Sequence, residues 1–310
     1  MDSNSPRLRI GTRGSDLALW QATHVRDLLV ARGVDVEIEI IKTQGDRIDD
    51  VPFSQLEGKG FFTKELEDAL LERRVDLAVH SMKDLATDMP PGLVLACLIG
   101  REDPSELLLV RPDAVDAERE KSGEMLPLRD GARVGTSAAR RQARLRMLRP
   151  DLDIDELRGN VPTRVRKLRE GLYDAIMLAA AGVSRLELDL GDLWTRRLPV
   201  DGFVPAPAQG MLAIQCRDEA ATRDLLLPLH SADAARAVEA ERRLLGKLDG
   251  GCQLPFGVNV RPADGGFRLD AFWAGEGAAP LQLDLEGDNP DELADLAFAG
   301  IISHRDGGEG

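Results

Sequence analysis

The chain has 310 residues, 43% of them hydrophobic but only 4% aromatic, a mix that fits an aliphatic α/β core and excludes a disordered or fibrous chain. Its 40 basic and 54 acidic residues give a formal charge of −14, which opposes loose binding to nucleic acid or to an anionic membrane surface. Cys97, Cys216 and Cys252 make neither an even disulfide framework nor a zinc-binding spacing, and the first ten residues lack an apolar leader segment, so a reducing, cytoplasmic setting is expected.

In chain order, residues 8–11, 36–41, 75–79 and 93–99 read as short aliphatic strands, with helix-period stretches at 17–31 and 62–73 between them. Thr12-Arg13-Gly14-Ser15 ends the first strand and opens the first helix. Such a junction aims backbone N–H groups and hydroxyls at an anion, although plain N-capping by Ser15 explains the same residues. Gly58-Lys59-Gly60 is a basic, flexible loop spaced unlike a nucleotide-binding P-loop. His80-Ser81-Met82-Lys83-Asp84 follows the third strand directly, at the end where open α/β sheets place their ligands. Within it, His80 reads as a packed, hydrogen-bonded histidine, and Asp84 as either a capping carboxylate or a reactive one.

The pattern breaks at Arg101-Glu102-Asp103-Pro104, which reads as a hinge, and restarts with strands at 107–110, 132–135 and 175–179 and a helix at 137–148. Residues 112–130 are polar and read as a surface insertion. Gly135-Thr136-Ser137 repeats the strand-to-helix anion junction, with plain N-capping by Ser137 again an alternative, and Arg140 and Arg141 follow it, well placed for bidentate binding of carboxylates. Ten arginines lie between Arg133 and Arg169 in an otherwise acidic protein, so an anionic small molecule is the expected partner. The proline- and glycine-rich stretch 201–209 reads as a return crossing to a strand at 211–216. A helix at 231–248 leads to the turn Gly250-Gly251-Cys252-Gln253-Leu254-Pro255, where flanking glycines leave room for a covalent adduct on the thiol, although a buried structural cysteine explains the same residue. Strands at 267–273 and 281–285 and a helix near 291–299 complete the chain. Three domains are expected: 1–103 with 211–228, then 104–210, then 229–310.

Read together, IGTRGSDLALWQA, GKGFFTKELEDALL, DLAVHSMKDL, REDP, VGTSAARRQ, LRGNVPTR, YDAIMLAAAG, PAQG and LDGGCQLPFG, in this order between about residues 8 and 260, closely resemble the porphobilinogen deaminases, or hydroxymethylbilane synthases. The resemblance implies two periplasmic-binding-protein-like α/β domains with a cleft between them and a small α+β C-terminal domain. It also implies a transferase that condenses four porphobilinogen molecules, with loss of ammonia, onto a dipyrromethane primer, and then releases hydroxymethylbilane on the route to haem. By the same resemblance Cys252 carries the dipyrromethane through a thioether and Asp84 is the catalytic carboxylate. Lys83, Asp84, Thr136, Ser137, Arg140, Arg141 and Arg158 would bind the cofactor. Arg13, Ser15, Arg158, Arg164, Arg185 and Gln209 would bind substrate, and Lys59 would belong to a lid spanning 48–60. No metal is implied. The protein would work as a cytoplasmic monomer and could hand its product to a uroporphyrinogen-III synthase. Ala138, Gln55, Pro162 and Ala208 depart from the family pattern, each by removing a donor or stiffening a loop. A non-catalytic anion receptor would explain the arginines and the hinge, but not Cys252 and Asp84 beside them. A cysteine hydrolase lacks an evident partner among His24, His80, His230 and His304.

Overall fold

The computed structural model describes residues 7–43, 63–249, 254–275 and 278–307. Lys59, Gln55 and the rest of the 48–60 loop lie outside the described residues, as do Cys252 and its flanking glycines.

Strand β1 (Leu8–Thr12) runs into Ser15, whose Oγ accepts from Ala18 N at 3.4 Å and caps α1 (Asp16–Val30). That helix buries Gln21, Ala22, Val25 and Leu29 along one stripe. Next come β2 (Val36–Ile40), α2 (Lys64–Leu71), β3 (Leu77–Ser81) and β4 (Leu93–Arg101). The middle of the chain forms β5 (Glu106–Val110), α3 (Ala117–Lys121), β6 (Arg133–Gly135), α4 (Ala139–Leu148), β7 (Asp153–Asp155), α5 (Val161–Arg169), β8 (Ala175–Ala179), α6 (Ala180–Arg185) and β9 (Trp194–Leu198). There follow β10 (Met211–Arg217), α7 (Ala220–Leu226), α8 (Ala232–Lys247), β11 (Phe256–Ala263), β12 (Gly266–Trp273), β13 (Leu281–Gly287) and α9 (Pro290–Gly307).

The chain gathers into two compact units. The first holds the described residues of Met1–Val51, Gln55–Glu102 and Gly210–Ala235, the second those of Asp103–Gln209 and Arg236–Gly310. In the first, a five-stranded sheet has the order β2-β1-β3-β10-β4. β1 pairs parallel with β2 and β3, whereas β10 runs antiparallel between β3 and β4, with Ala213 opposite His80 and Ile214 opposite Cys97. Residues Met211 to Cys216 are buried because both edges and both faces of β10 are covered, which is why it reads as an unbroken aliphatic run. Ile10, Val25, Leu29, Leu77, Ile99 and Ile214 centre the core beneath it.

The second unit repeats this order as β7-β6-β8-β5-β9, with β6 parallel to β7 and β8, and β5 antiparallel to β8 and β9. It also holds an antiparallel sheet β11-β12-β13 with its own core of Val258, Val260, Leu269, Leu293, Ala297 and Ile301 from the strands and α9. Two mixed five-stranded sheets and one small C-terminal sheet are the α/β plus α+β composition that the sequence implied.

The reading of 112–130 as a polar surface insertion is corrected. The exposed part comprises residues 112–113, α3 with its Asp116 carboxylate cap, 122–124 and 129–130, whereas Ala114, Leu126 and Leu128 are buried in the core beside β5 and β6, and Val115 pairs with Leu128. Three spaced apolar residues in a charged stretch fill the core without making a periodic signal. Among the described residues no helix is long and apolar enough to cross a membrane.

Candidate functional site

In the first unit, β1 and β3 are parallel neighbours and deliver their polar residues at the same end of the sheet. At the end of β1, Thr12 is buried and its hydroxyl donates to Ala18 O at 3.0 Å, tying the strand to the first turn of α1. Arg13 and Ser15 follow, so Ser15 does take the capping role that the sequence allowed. At the end of β3, Gln21 of α1 donates its amide to Ser81 Oγ at 2.7 Å. The chain then turns through a short 3-10 segment, Met82–Asp84, pinned by the buried Met82 side chain. Lys83 is half-buried and Asp84 is exposed. Among the described residues no group donates to the Asp84 carboxylate, and it caps nothing.

His80, on β3 two residues before this segment, is buried with Nε2 3.0 Å from Gln215 Oε1 on β10. Gln215 Nε2 donates in turn to Glu67 Oε1 at 3.2 Å, which orients the amide and makes His80 Nε2 the donor. Burial pushes the His80 pKa down to about 4, with Arg13 adding to the shift and the Gln215 hydrogen bond opposing it. The imidazole is therefore neutral and packed, as the sequence suggested.

In the second unit, β6 ends at Gly135 with no room for a side chain, since an added Cβ would lie 2.8 Å from the Tyr173 ring. Thr136 is buried, and Ser137 Oγ donates to Leu157 O at 2.7 Å. The N-cap of α4 is Ala138, which brings no side-chain acceptor, so the departure at this position leaves the helix start uncapped by a side chain. Arg140 and Arg141 then turn inward, 5% and 6% exposed, toward a carboxylate that no motif singles out. Glu106, at the start of β5 and fully buried, accepts from Arg140 Nη2 at 2.6 Å and from Arg141 Nε at 2.9 Å and Nη2 at 2.6 Å. Gln209 Nε2 joins them, 3.1 Å from Glu106 Oε1 and 2.7 Å from Pro104 O. Burial disfavours the charged Arg140 guanidinium, the Glu106 carboxylate counters this, and the adjacent Arg141 adds to the cost.

The other predicted residues of this unit lie on different elements. Arg158 is 3.8 Å from Glu156, and Arg164 Nε donates to Gly159 O at 2.7 Å, both beside the start of α5. Asn160 caps that helix by accepting from Thr163 N at 2.9 Å, and Pro162 stands in its first turn, where proline is well tolerated. Arg185 is buried in the last turn of α6. The structure thus brings Thr136, Ser137, Arg140, Arg141 and Gln209 together around α4 and Glu106, and places Arg158 just before α5, Arg164 in its first turns and Arg185 on α6. Among the described residues no group of three or more His, Cys, Asp or Glu could hold a metal ion.

The start of β11 packs against this cluster. An added Cβ at Gly257 would lie 2.7 Å from Arg140 Cδ and 2.7 Å from Val204 O, and Val258 N donates to Pro205 O at 3.0 Å. Glu241 of α8 is fully buried and accepts from Ala208 N and Val260 N, each at 2.6 Å.

The sequence profile described as "Porphobilinogen deaminase, dipyromethane cofactor binding domain" matches residues 8–224. The porphobilinogen deaminase of Syntrophotalea carbinolica is 50% identical over 264 residues, covering 84% of this chain and 80% of its own. That of Trichlorobacter lovleyi is 46% identical over 303 residues, covering 94% and 93%. Among solved structures, the methionine binding protein MetQ is 14% identical and superposes with a TM-score of 0.45 over 76% of this chain and 93% of its own.

Proposed function

The chain belongs to the porphobilinogen deaminase family, and on that premise we propose how its residues divide the work of condensing porphobilinogen into hydroxymethylbilane. Asp84 is the catalytic carboxylate. The observation that carries this reading is its setting: an exposed carboxylate on a turn anchored by Met82, with no donor to it among the described residues. Such a group is available to accept pyrrole N–H groups and to oppose the positive charge that develops on the ring as ammonia leaves. Lys83 beside it meets carboxylate substituents.

Cys252 carries the dipyrromethane through a thioether. Of the other cysteines, Cys97 and Cys216 are both buried, and burial pushes their thiols up to about 12 and about 11, which makes them poor nucleophiles. When bound, the dipyrromethane supplies the pyrrole carbon onto which substrate is condensed. The second unit fits such a polycarboxylate: α4 buries Arg140, Arg141 and Arg144, and among the described residues Glu106 is the one carboxylate bonded to the first two. Thr136, Ser137, Arg140, Arg141 and Arg158 serve cofactor carboxylates in this reading. Arg13, Ser15, Arg158, Arg164, Arg185 and Gln209 serve those of the substrate, and Lys59 works from a lid. The protein acts as a cytoplasmic monomer of three domains, 1–103 with 211–228, 104–210 and 229–310, and passes hydroxymethylbilane to a uroporphyrinogen-III synthase.

Intact mass spectrometry of protein purified from cells that make porphobilinogen tests the attachment. The wild type is expected to exceed its sequence mass by one dipyrromethane, and Cys252→Ser to match its sequence mass. A wild type of unmodified mass, or a serine variant that keeps the adduct, overturns the assignment.

A further inference from the structure

The arginines that open α4 are held by more than their own helix. Each is fixed at two points by different parts of the unit: Arg140 by Glu106 and by Val204 O at 2.7 Å, Arg141 by Glu106 and by Met177 O of β8 at 3.0 Å. A planar guanidinium bonded on two sides cannot turn about its long axis. Both Glu106 oxygens are used, Oε1 by Arg140 and Gln209 and Oε2 by the Nε and Nη2 of Arg141, which fills the acceptor capacity of one carboxylate. Neighbouring Arg144 is likewise inside, bonded to Gly202 O at 3.0 Å and 2.7 Å and stacked over Phe272.

Among the described residues the charges bonded on this face of α4 do not balance, and the other buried carboxylate nearby, Glu241, is taken up by the Ala208 and Val260 amides. A carboxylate present only to neutralise would leave a cluster near zero, whereas Glu106 meets two guanidinium groups and a third lies one turn along. A buried surplus of positive charge is costly unless an anion completes it.

We propose that Glu106 is a positioning residue for the reaction: its buried carboxylate locks Arg140, Arg141 and Gln209 into one rigid donor array whose surplus positive charge receives a carboxylate of the pyrrole ligand. This rests on the reading of these residues as ligand-binding. Rigidity is what the carboxylate supplies, because an array fixed beforehand loses little freedom when the ligand arrives. Glutamine at this position replaces one acceptor oxygen with an NH2 group facing a guanidinium, so the array loosens even though its net positive charge rises. If charge alone attracted the ligand, that variant would bind better. If geometry governs, it binds worse.

The test compares Glu106→Gln and Glu106→Asp with wild type, measuring cofactor loading by intact mass, melting temperature, and kcat and KM for porphobilinogen. The glutamine variant is expected to lose loading or raise KM by about tenfold to a hundredfold, the scale of an ångström-level misplacement. Aspartate keeps the charge on a shorter arm and is expected to recover part of the loss. A folded glutamine variant with wild-type loading and KM, or an aspartate variant no better than glutamine, overturns the proposal, and lowered melting alone makes Glu106 a purely structural residue. Should neither variant fold, the wild type still decides: the Arg140 and Arg141 Nη resonances are expected to be resolved by slow Cζ–Nε rotation in nitrogen NMR spectra, and averaged signals overturn it. An adduct-free wild type counts against the cofactor assignment and leaves this comparison in place.

Discussion

Ala208 holds a φ of +62° while its N–H donates to Glu241 Oε2 across 2.6 Å. A left-handed backbone is strained for any residue with a Cβ, so the bond helps to keep the turn before Gln209 in a conformation that glycine would adopt freely. The other oxygen of Glu241 takes Val260 N at 2.6 Å, so one carboxylate ties the turn to β11. Glu241→Gln can accept on only one side and leaves a buried N–H facing an amide. Its expected cost is about 1 to 3 kcal/mol, read as a lower urea midpoint with an unchanged slope. An unchanged midpoint would show that the turn holds itself.

Arg140→Leu separates the sequence reading from the structural one. An arginine read as a ligand-facing group should be replaceable without harm to the fold. In the structure, its removal leaves Glu106 with half of its guanidinium partners and Val204 O without its donor. Breaking a buried pair costs about 3 to 5 kcal/mol, so the variant is expected to unfold at much lower denaturant as well as to load cofactor poorly. A midpoint equal to that of wild type would return Arg140 to a purely ligand-binding role.

What the sequence made legible was the fold class, most core strands and the strand-end motifs, because aliphatic runs and strand-to-helix junctions carry their signal locally. β9 was missed because Trp-Thr-Arg-Arg-Leu is an edge strand with an alternating, half-exposed pattern that looks like a polar loop. β11 was missed because Phe-Gly-Val-Asn-Val-Arg-Pro-Ala is broken up by glycine, asparagine and proline, although its pairing with β12 is continuous. α5 was hidden by Pro162, which marks a helix start as readily as a loop. Glu106 and Glu241 gave no signal at all. A single glutamate beside leucines or within a charged helix looks ordinary until tertiary structure brings it to Arg140 and Ala208. Asp84 and Cys252 were found through motifs, but the environment of Cys252 lies outside the described residues.

His80 makes stability depend on pH in a stated direction. Its folded pKa is lowered from 6.5 to about 4, so between those values the unfolded chain binds a proton that the folded chain does not. Stability is therefore lost as pH falls from about 6.5 toward 4, the loss is complete below the folded pKa, and its limit is roughly 3 kcal/mol from this residue. His80→Leu, which removes the titration, is expected to lessen the fall in melting temperature between pH 7 and pH 4.5 relative to wild type. Parallel curves would place the acid sensitivity elsewhere.

For Asp84, the prediction concerns rate rather than stability. Asp84→Asn keeps the volume and exposure of the side chain and removes only its charge, so melting should stay close to wild type. Losing one preorganised electrostatic contact costs about 10²- to 10³-fold in rate, and turnover of porphobilinogen by cofactor-loaded protein should fall by that much. An asparagine variant retaining more than about a tenth of wild-type turnover, well short of such a loss, would move the catalytic role to another carboxylate.

The place of β10 in its sheet has a consequence for biosynthesis. β3 and β4 are close in sequence, yet the gap between them is filled by Met211–Arg217, which leave the ribosome only after the whole of β5 through β9. Until then the nascent N-terminal segment has two unpaired inner strand edges and lacks the buried Leu212, Ile214 and Cys216 side chains of its core. The intervening residues, Glu106 to Leu198, already contain every strand of their own sheet and can be completed first. The first sheet therefore cannot close until β10 has been made, so the segment synthesised earliest is the one left longest without its full pairing, the condition that exposes nascent chains to chaperones, proteases and aggregation.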